Sequence, residues 1–341
     1  MKALHIIRPG EVGITEIDKP LLERGEVLIK LKYVGFCGSD LNTFLGKNPM
    51  VRLPVVPGHE ISGEIAGVGQ DVPDIYKAGM ACTVNPYTSC GFCSSCRNGR
   101  PNACRFNQTM GVQRDGGMCE YLVVPWQKVI ADAELSAEEL ALVEPLSVGF
   151  HAVSRGEVTD TDTVLVIGCG MIGIGAIIRS LLRGAKVIVL DVDDTKLALA
   201  KRLGVSHVVN STTENVEERL QEYTGGNGAD VVIEAVGLPA TYQMAVREVA
   251  FTGRVVCIGY AKSETAFETK YFVMKELDIR GSRNAMPEDF RAVAGYLKHH
   301  TDLELASELV TAVYPPERAQ EALERWRDSP GEVFRILIDF Q

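Results

Sequence analysis

The stretch Thr163–Ala176, TVLVIGCGMIGIGA, reads as a strand running through a glycine turn into a helix. The apolar run Val164–Ile167 precedes Gly168, Gly170 and Gly173, which fall in the pattern GxGxxG. Alone that pattern is weak. After an apolar strand and at the start of a helix, it reads as a dinucleotide-binding turn. Gly168 makes the tight turn, Gly170 lets the backbone approach a pyrophosphate, and Gly173 lets helix and strand pack closely. Met171 and Ile172 lie between the last two glycines, at a helix N-terminus whose N–H groups face the phosphates. The next strand, KVIVLD, ends at Asp191, where a ribose-binding acid belongs. Its carboxylate accepts hydrogen bonds from both ribose hydroxyls and repels a 2′-phosphate. No Lys or Arg follows before Lys196, so NAD is expected rather than NADP.

Outward from this turn the rhythm is strand then helix. TVLVIG, KVIVLD, HVVN, DVVIEAVG and GRVVCIGY are short and rich in β-branched residues, with helical segments such as DTKLALAKRLG and PATYQMAVREVAF between them. That alternation predicts an α/β fold with a doubly wound parallel sheet. The first third differs. GEVLIKLKYVGF, HEISGEIAGVG, MACTVNP and GGMCEYLVVP read as strands bounded by Gly and Pro, an irregular β domain. The pattern changes near Leu135, where Ser136 with Glu139 three residues on forms a capping box that opens a helix through SVGFHAVSRG. The tail, Pro287–Gln341, mixes helices with the strand VFRILIDF, and YPPERAQEALERW opens with prolines, which a first helical turn tolerates.

A chain of 341 residues usually divides into two domains, and 46% hydrophobic residues suffice for two cores. The net charge of −10 opposes a nucleic-acid partner, which needs concentrated Lys and Arg. No apolar run reaches the roughly 18 residues of a membrane span. The opening MKALHIIRPGEVGITEID reads as a first strand, not a signal peptide, so a cytoplasmic location is the default expectation. In that setting nine cysteines point to metal binding or catalysis rather than to disulfides.

Four of them crowd into CGFCSSCRNGRPNAC as Cys90, Cys93, Cys96 and Cys104. Tight CxxC turns bring neighbouring sulfurs to one centre, as a closed tetrahedral zinc site requires. An iron–sulfur cluster is one rival; a zinc ribbon that binds nucleic acid is the other, and the acidic balance opposes it. Four thiolates on Zn²⁺ leave a formal charge of −2, which Arg97, Arg100 and Arg105 either offset or ignore as solvated side chains. A closed site admits no substrate, so the expected role is to staple a lobe, about residues 86–108.

The chemistry must lie elsewhere. CGSDLNTF holds Cys37, Ser39 and Asp40; VPGHEISGEI holds His59 and Glu60; VEPLSVGFHA holds Glu144. Singly, each has a bland reading as buried thiol, turn histidine or solvated acid. Beside a nicotinamide fold they form a catalytic zinc set of mixed N, O and S donors. His5, His151, His207, His299 and His300 fit no ligand pattern. Cys82, Cys119, Cys169 and Cys257 read as small buried thiols. Cys169 sits inside the phosphate-binding turn, so an alkylating reagent reaching it would block NAD.

The order CGSD, GHE, four-cysteine loop, EPLSVG, GxGxxG and GADVVIEAVG resembles the zinc-dependent medium-chain dehydrogenases over essentially the whole chain. GHE with EPLS resembles the sorbitol and threonine dehydrogenase branch. GVQRDGGMCEYLVVP and GSRNAMPEDF resemble bacterial sugar-acid enzymes of the L-galactonate 5-dehydrogenase type. The resemblance implies a GroES-like domain from residues 1–146 and 284–341, with a Rossmann NAD domain, 147–283, inserted. It implies zinc and nicotinamide in the cleft between them, two Zn²⁺ per chain, and a homodimer or homotetramer.

By the same resemblance Cys37, His59 and Glu60 ligate the catalytic zinc. Counting −1, 0 and −1 against the ion, the site is neutral, and a bound secondary alcohol loses its proton to Lewis-acid catalysis. Ionised Glu144 would take the site to −1. It is expected either to hold the zinc or its water at rest and yield to substrate, or to accept a hydrogen bond from the zinc-bound oxygen. Asp40 is the expected acceptor for the free nitrogen of His59, and Ser39 takes the substrate proton and passes it to the cofactor ribose. Many relatives place a histidine three residues beyond this serine; here Asn42 stands there and cannot titrate. Arg283 and Asn284, in GSRN, are the expected substrate contacts, a guanidinium being suited to a carboxylate. The expected reaction is oxidation of a secondary alcohol of a sugar acid or polyol to the ketone. The alternatives are a sorbitol-type polyol or L-threonine 3-dehydrogenase activity, or a nucleotide-binding scaffold with structural zinc only.

Overall fold

Strand pairing decides which of these dispersed residues meet. The computed structural model describes residues 1–301 and 304–341. The chain forms two units, Met1–Pro145 with Met286–Gln341, and Leu146–Ala285.

The second unit is built on a six-stranded parallel sheet. In spatial order its strands are His207–Asn210, Lys186–Asp191, Thr163–Ile167, Ala229–Glu234, Val249–Cys257 and Asp278–Gly281. Strand order therefore reverses beside Thr163–Ile167, and ligands of open parallel sheets bind at such a switch point. Val164 to Ile167 are all fully buried, which is why that strand is apolar throughout rather than alternating. The connecting helices start where side chains satisfy their free N–H groups. Asp193 accepts from Thr195 and Lys196 ahead of Asp194–Arg202, and Asn215 accepts from Glu218 ahead of Val216–Thr224.

One expected helix is cut short. PATYQMAVREVAF is helical only over Pro239–Glu248, and Val249 already pairs with Ala229 as the start of the next strand. Burial of Val249 and its place in the ladder override the local helical pattern. The register then slips between Ala229 and Val231, beside Thr252, whose φ is 57°.

The first unit holds a seven-stranded sheet. Val310–Tyr314 runs parallel to Arg335–Asp339, which pairs antiparallel with Glu26–Phe36; Glu60–Val68, Ala81–Val84 and Val129–Ala131 follow, and Tyr121–Pro125 pairs with the start of Glu26–Phe36. Ile29, Leu31, Phe36, Ile61 and Ile65 from its two central strands are fully buried, with Phe44 and Met118 against them. Each such side chain favours the folded state by about 1.5–3 kcal/mol. Ser136 and Glu139 exchange hydrogen bonds at the start of the helix Ala137–Arg155, the capping box read from the sequence. Among the described residues no helix is long and apolar enough to cross a membrane.

Candidate metal centres and nicotinamide turn

The strand Glu26–Phe36 delivers the chain to Cys37, which caps the short helix Gly38–Phe44. Gly35 pairs with Glu60 on one side, and Phe36 pairs with Ile336 on the other. Three strand ends thus carry Cys37, His59 with Glu60, and Arg335 to one place, although residues 37 and 335 are far apart in sequence. A Cβ on Gly35 would lie 2.3 Å from Glu60 Oε2 and 3.1 Å from Glu60 Cβ, so a larger residue there would displace the Glu60 side chain.

Donor atoms of Cys37, His59 and Glu60 all lie within 4.8 Å of one another. Glu60 is fully buried and His59 nearly so. Neither carboxylate oxygen of Glu60, nor Nδ1 of His59, has an aligned hydrogen-bond partner among the described residues. Buried polar atoms left this way are costly. A cation among a thiolate, an imidazole and a carboxylate removes that cost, and the donor set suits zinc with one position open.

The surrounding charges fit the same picture. Arg335, itself buried, places Nε 2.9 Å from Glu60 Oε2 without aiming its N–H at that oxygen. Its Nη1 donates to the Phe36 carbonyl, and its guanidinium lies 5.9 Å from the Trp326 ring centre. Burial pushes the Glu60 carboxyl up to about 7, against the pull of Arg335. Burial works to lower His59, yet the negative charges of Cys37, Glu144 and Asp40 carry it well above its ordinary range.

Asp40 departs from its expected role. Its Oδ2 accepts the Cys37 N–H at 2.8 Å and its Oδ1 the Gly58 N–H at 3.4 Å, while Nδ1 of His59 has no hydrogen-bond partner among the described residues. As third residue of its helix, it turns back onto the N-cap N–H, as a capping box dictates. Asp40 therefore clamps the backbone of both ligand loops instead of orienting the imidazole. Ser39 Oγ is buried with no hydrogen-bond partner among the described residues, and Asn42 follows three residues on in the same helix.

Glu144, on Ala137–Arg155, lies outside the three-residue set. It is 3% exposed, and its Oε1 accepts a hydrogen bond from the equally buried Tyr87 hydroxyl. Sequence reasoning missed both Tyr87 and Arg335. Arg335 left a signal, a single charge inside the apolar run VFRILI. Tyr87 left none.

Cys90, Cys93, Cys96 and Cys104 form the second group of potential metal donors. Their sulfurs are 3.5 Å (Cys93–Cys96), 3.7 Å (Cys93–Cys104) and 4.0 Å (Cys90–Cys96) apart. Four sulfurs about 2.3 Å from a shared ion would be about 3.8 Å apart. The spacing suits one ion and is too tight for a multi-iron cluster. Arg97, Arg100 and Arg105 are exposed. Backbone N–H groups approach the sulfurs instead, from Cys90 and Phe106 to Cys104 and from Cys93 to Cys90, each at 3.3 Å.

In the second unit the glycine turn has the shape its pattern implies. Gly168 has φ of 98°, and a Cβ on Gly173 would lie 1.9 Å from the Gly168 carbonyl oxygen. A Cβ on Gly170 would meet nothing within 4 Å, leaving room for a ligand's approach ahead of Met171 and Ile172. Asp191 ends its strand with Oδ2 accepting the Cys169 N–H and Oδ1 those of Val192 and Asp193. The Cys169 thiol is fully buried, and burial pushes it up to about 12, so it is no ready target for alkylation. Arg283 and Asn284 follow Asp278–Gly281 in this unit, partly exposed, with Asn284 at φ of 54°.

Residues 23–134 match the Alcohol dehydrogenase GroES-like domain, and residues 172–299 match the Zinc-binding dehydrogenase family. The L-galactonate-5-dehydrogenase of Escherichia coli is 35% identical over 341 residues, covering 100% of this chain and 99% of its own. The sorbitol dehydrogenase of Bacillus subtilis is 32% identical, covering 99% and 97%. A solved structure described as a short chain alcohol dehydrogenase from Escherichia coli, complexed with NADH, superposes with a TM-score of 0.90 at 29% identity, covering 99% of each chain. This chain belongs to the zinc-dependent alcohol dehydrogenases of the medium-chain family, enzymes that act on CH–OH groups.

Proposed function

We propose that the protein oxidises a secondary alcohol of a sugar acid or polyol to the ketone with NAD. The observation that carries the proposal is the buried convergence of Cys37, His59 and Glu60 on one point. Zinc held there would supply a Lewis acid for an alcohol oxygen, and bound NAD would supply the hydride acceptor. The chain supplies placement and charge. Cys37 and Glu60 contribute two negative charges and His59 none, so the loaded set is neutral. Arg335 tempers Glu60, and Asp40 locks the loops carrying Cys37 and His59. Ser39 Oγ, buried and uncommitted, is the group that takes the substrate proton. Asn42 cannot titrate, so the proton leaves Ser39 by another route. Cys90, Cys93, Cys96 and Cys104 hold a structural zinc.

Gly168, Gly170, Met171, Ile172 and Gly173 form the pyrophosphate turn. Three backbone N–H groups already occupy Asp191, so its free Oδ2 lone pair accepts one ribose hydroxyl, and its charge excludes a 2′-phosphate, which favours NAD. Arg283 and Asn284 are the proposed substrate contacts, with Arg283 taking a carboxylate. The full-length relatives at 35% and 32% identity act on a sugar acid and a polyol.

The test is NADH formation with a panel of hexonates, polyols and L-threonine, alongside zinc per chain. Turnover of a hexonate or polyol with two zinc ions is the expected result. Activity confined to L-threonine, or a higher kcat/KM with NADP, would overturn the substrate or cofactor assignment respectively. Arg283→Ala should raise KM for an acid substrate more than for a neutral polyol.

A further inference from the structure

Glu144 is a buried carboxylate whose charge reaches both His59 and Glu60, yet it stands outside the metal-binding set. A third anionic donor would take the loaded set from neutral to −1 and blunt its Lewis acidity. The Tyr87 hydroxyl holds the Glu144 Oε1 in a phenol-to-carboxylate hydrogen bond, one of the stronger kinds. Tyr87 is itself immobilised. It is 5% exposed, with its ring edge-on to Phe290 at 6.2 Å between centres.

The backbone around Tyr87 is tied to the four-cysteine lobe. Tyr87 N–H donates to Asn85 Oδ1, Thr88 N–H to Asn107 Oδ1, and Gln108 N–H to Thr88 Oγ1. Asn107 N–H in turn donates to the Cys104 carbonyl, and Cys90 follows Tyr87 by three residues. We propose that Tyr87 is a positioning residue that keeps the Glu144 carboxylate off the metal set, and that the cysteine lobe serves the chemistry by fixing Tyr87. The proposal rests on Cys37, His59 and Glu60 being the metal ligands.

Tyr87→Phe removes the hydroxyl and keeps the ring against Phe290. In the full-length, zinc-loaded protein the readout is the rate at which the catalytic zinc passes to a chelator. Cys37→Ser identifies which of the two ions is followed. With Glu144 released to ligate, Tyr87→Phe should lose that zinc more slowly, by about 10- to 100-fold on the scale of outer-shell effects. Its kcat should fall together with this change. Glu144→Gln added to Tyr87→Phe should abolish the slowing, returning zinc loss to the rate of Glu144→Gln alone. Zinc loss at or above the wild-type rate in Tyr87→Phe, or slowing that persists in the double variant, overturns the proposal. Two zinc ions retained in Cys37→Ser would instead overturn the metal-ligand assignment, whatever Tyr87→Phe shows.

Discussion

Arg335 and Glu60 are a buried pair whose balance depends on the metal. Breaking such a pair from one side typically destabilises by about 3–5 kcal/mol, because the remaining charge stays buried. Arg335→Met should therefore lower the melting temperature sharply after chelation and less in the zinc-loaded protein, where the ion offsets Glu60. Thermal unfolding of both forms checks this. Glu60 also sets a pH dependence for the chelated protein. Burial lifts its carboxyl to about 7 from an ordinary value of 4.5, so the folded chain holds the proton more tightly than the unfolded one. That stabilisation is complete below the ordinary value, declines as pH rises through the folded value, and is absent above it. Melting temperature of the chelated protein should fall across this window, and Glu60→Gln should remove the excess slope. Cys169, buried and pushed up to about 12, should react with iodoacetamide far more slowly than a free thiol until the protein unfolds, as peptide mapping would show.

The turn between Thr163–Ile167 and Met171–Leu182 separates two uses of glycine. At Gly173 a Cβ would strike the Gly168 carbonyl, which is backbone and has little freedom to move. At Gly170 the space is open and the backbone, at φ of −77°, suits any residue. Gly173→Ala should therefore destabilise the protein, whereas Gly170→Ala should melt within about 1 kcal/mol of wild type and still bind NADH at least tenfold more weakly. Equal NADH affinity in Gly170→Ala would remove the pyrophosphate from this turn. The segment 249–251 teaches the opposite lesson. Its helical pattern yields to the sheet because Val249 is buried beside Ala229.

Two units with their own cores and two metal centres should not unfold in one step. Chelation should expose the thiols of Cys90, Cys93, Cys96 and Cys104 to modification while Cys82, Cys119 and Cys169, which are buried without a metal, stay protected; thiol counting by mass spectrometry distinguishes the two groups. Local spacing alone made the cysteine cluster, the glycine turn with Asp191, and the alternation of strands and helices legible. Each depends on contacts between residues close in the chain, which sequence displays directly. The set of Cys37, His59 and Glu60 was legible only as a resemblance of ordered motifs, because no spacing rule joins segments so far apart. Arg335, the backbone role of Asp40 and the Tyr87 bond to Glu144 were not legible as roles. They follow from the pairing of Gly35 with Glu60 and of Phe36 with Ile336, and from the packing of Tyr87 against Phe290. The sequence by itself determined which local shapes and donor types the chain contains. Only the tertiary structure decided which buried charges face each other, because strand register and side-chain packing are properties of the assembled sheet and not of any one segment.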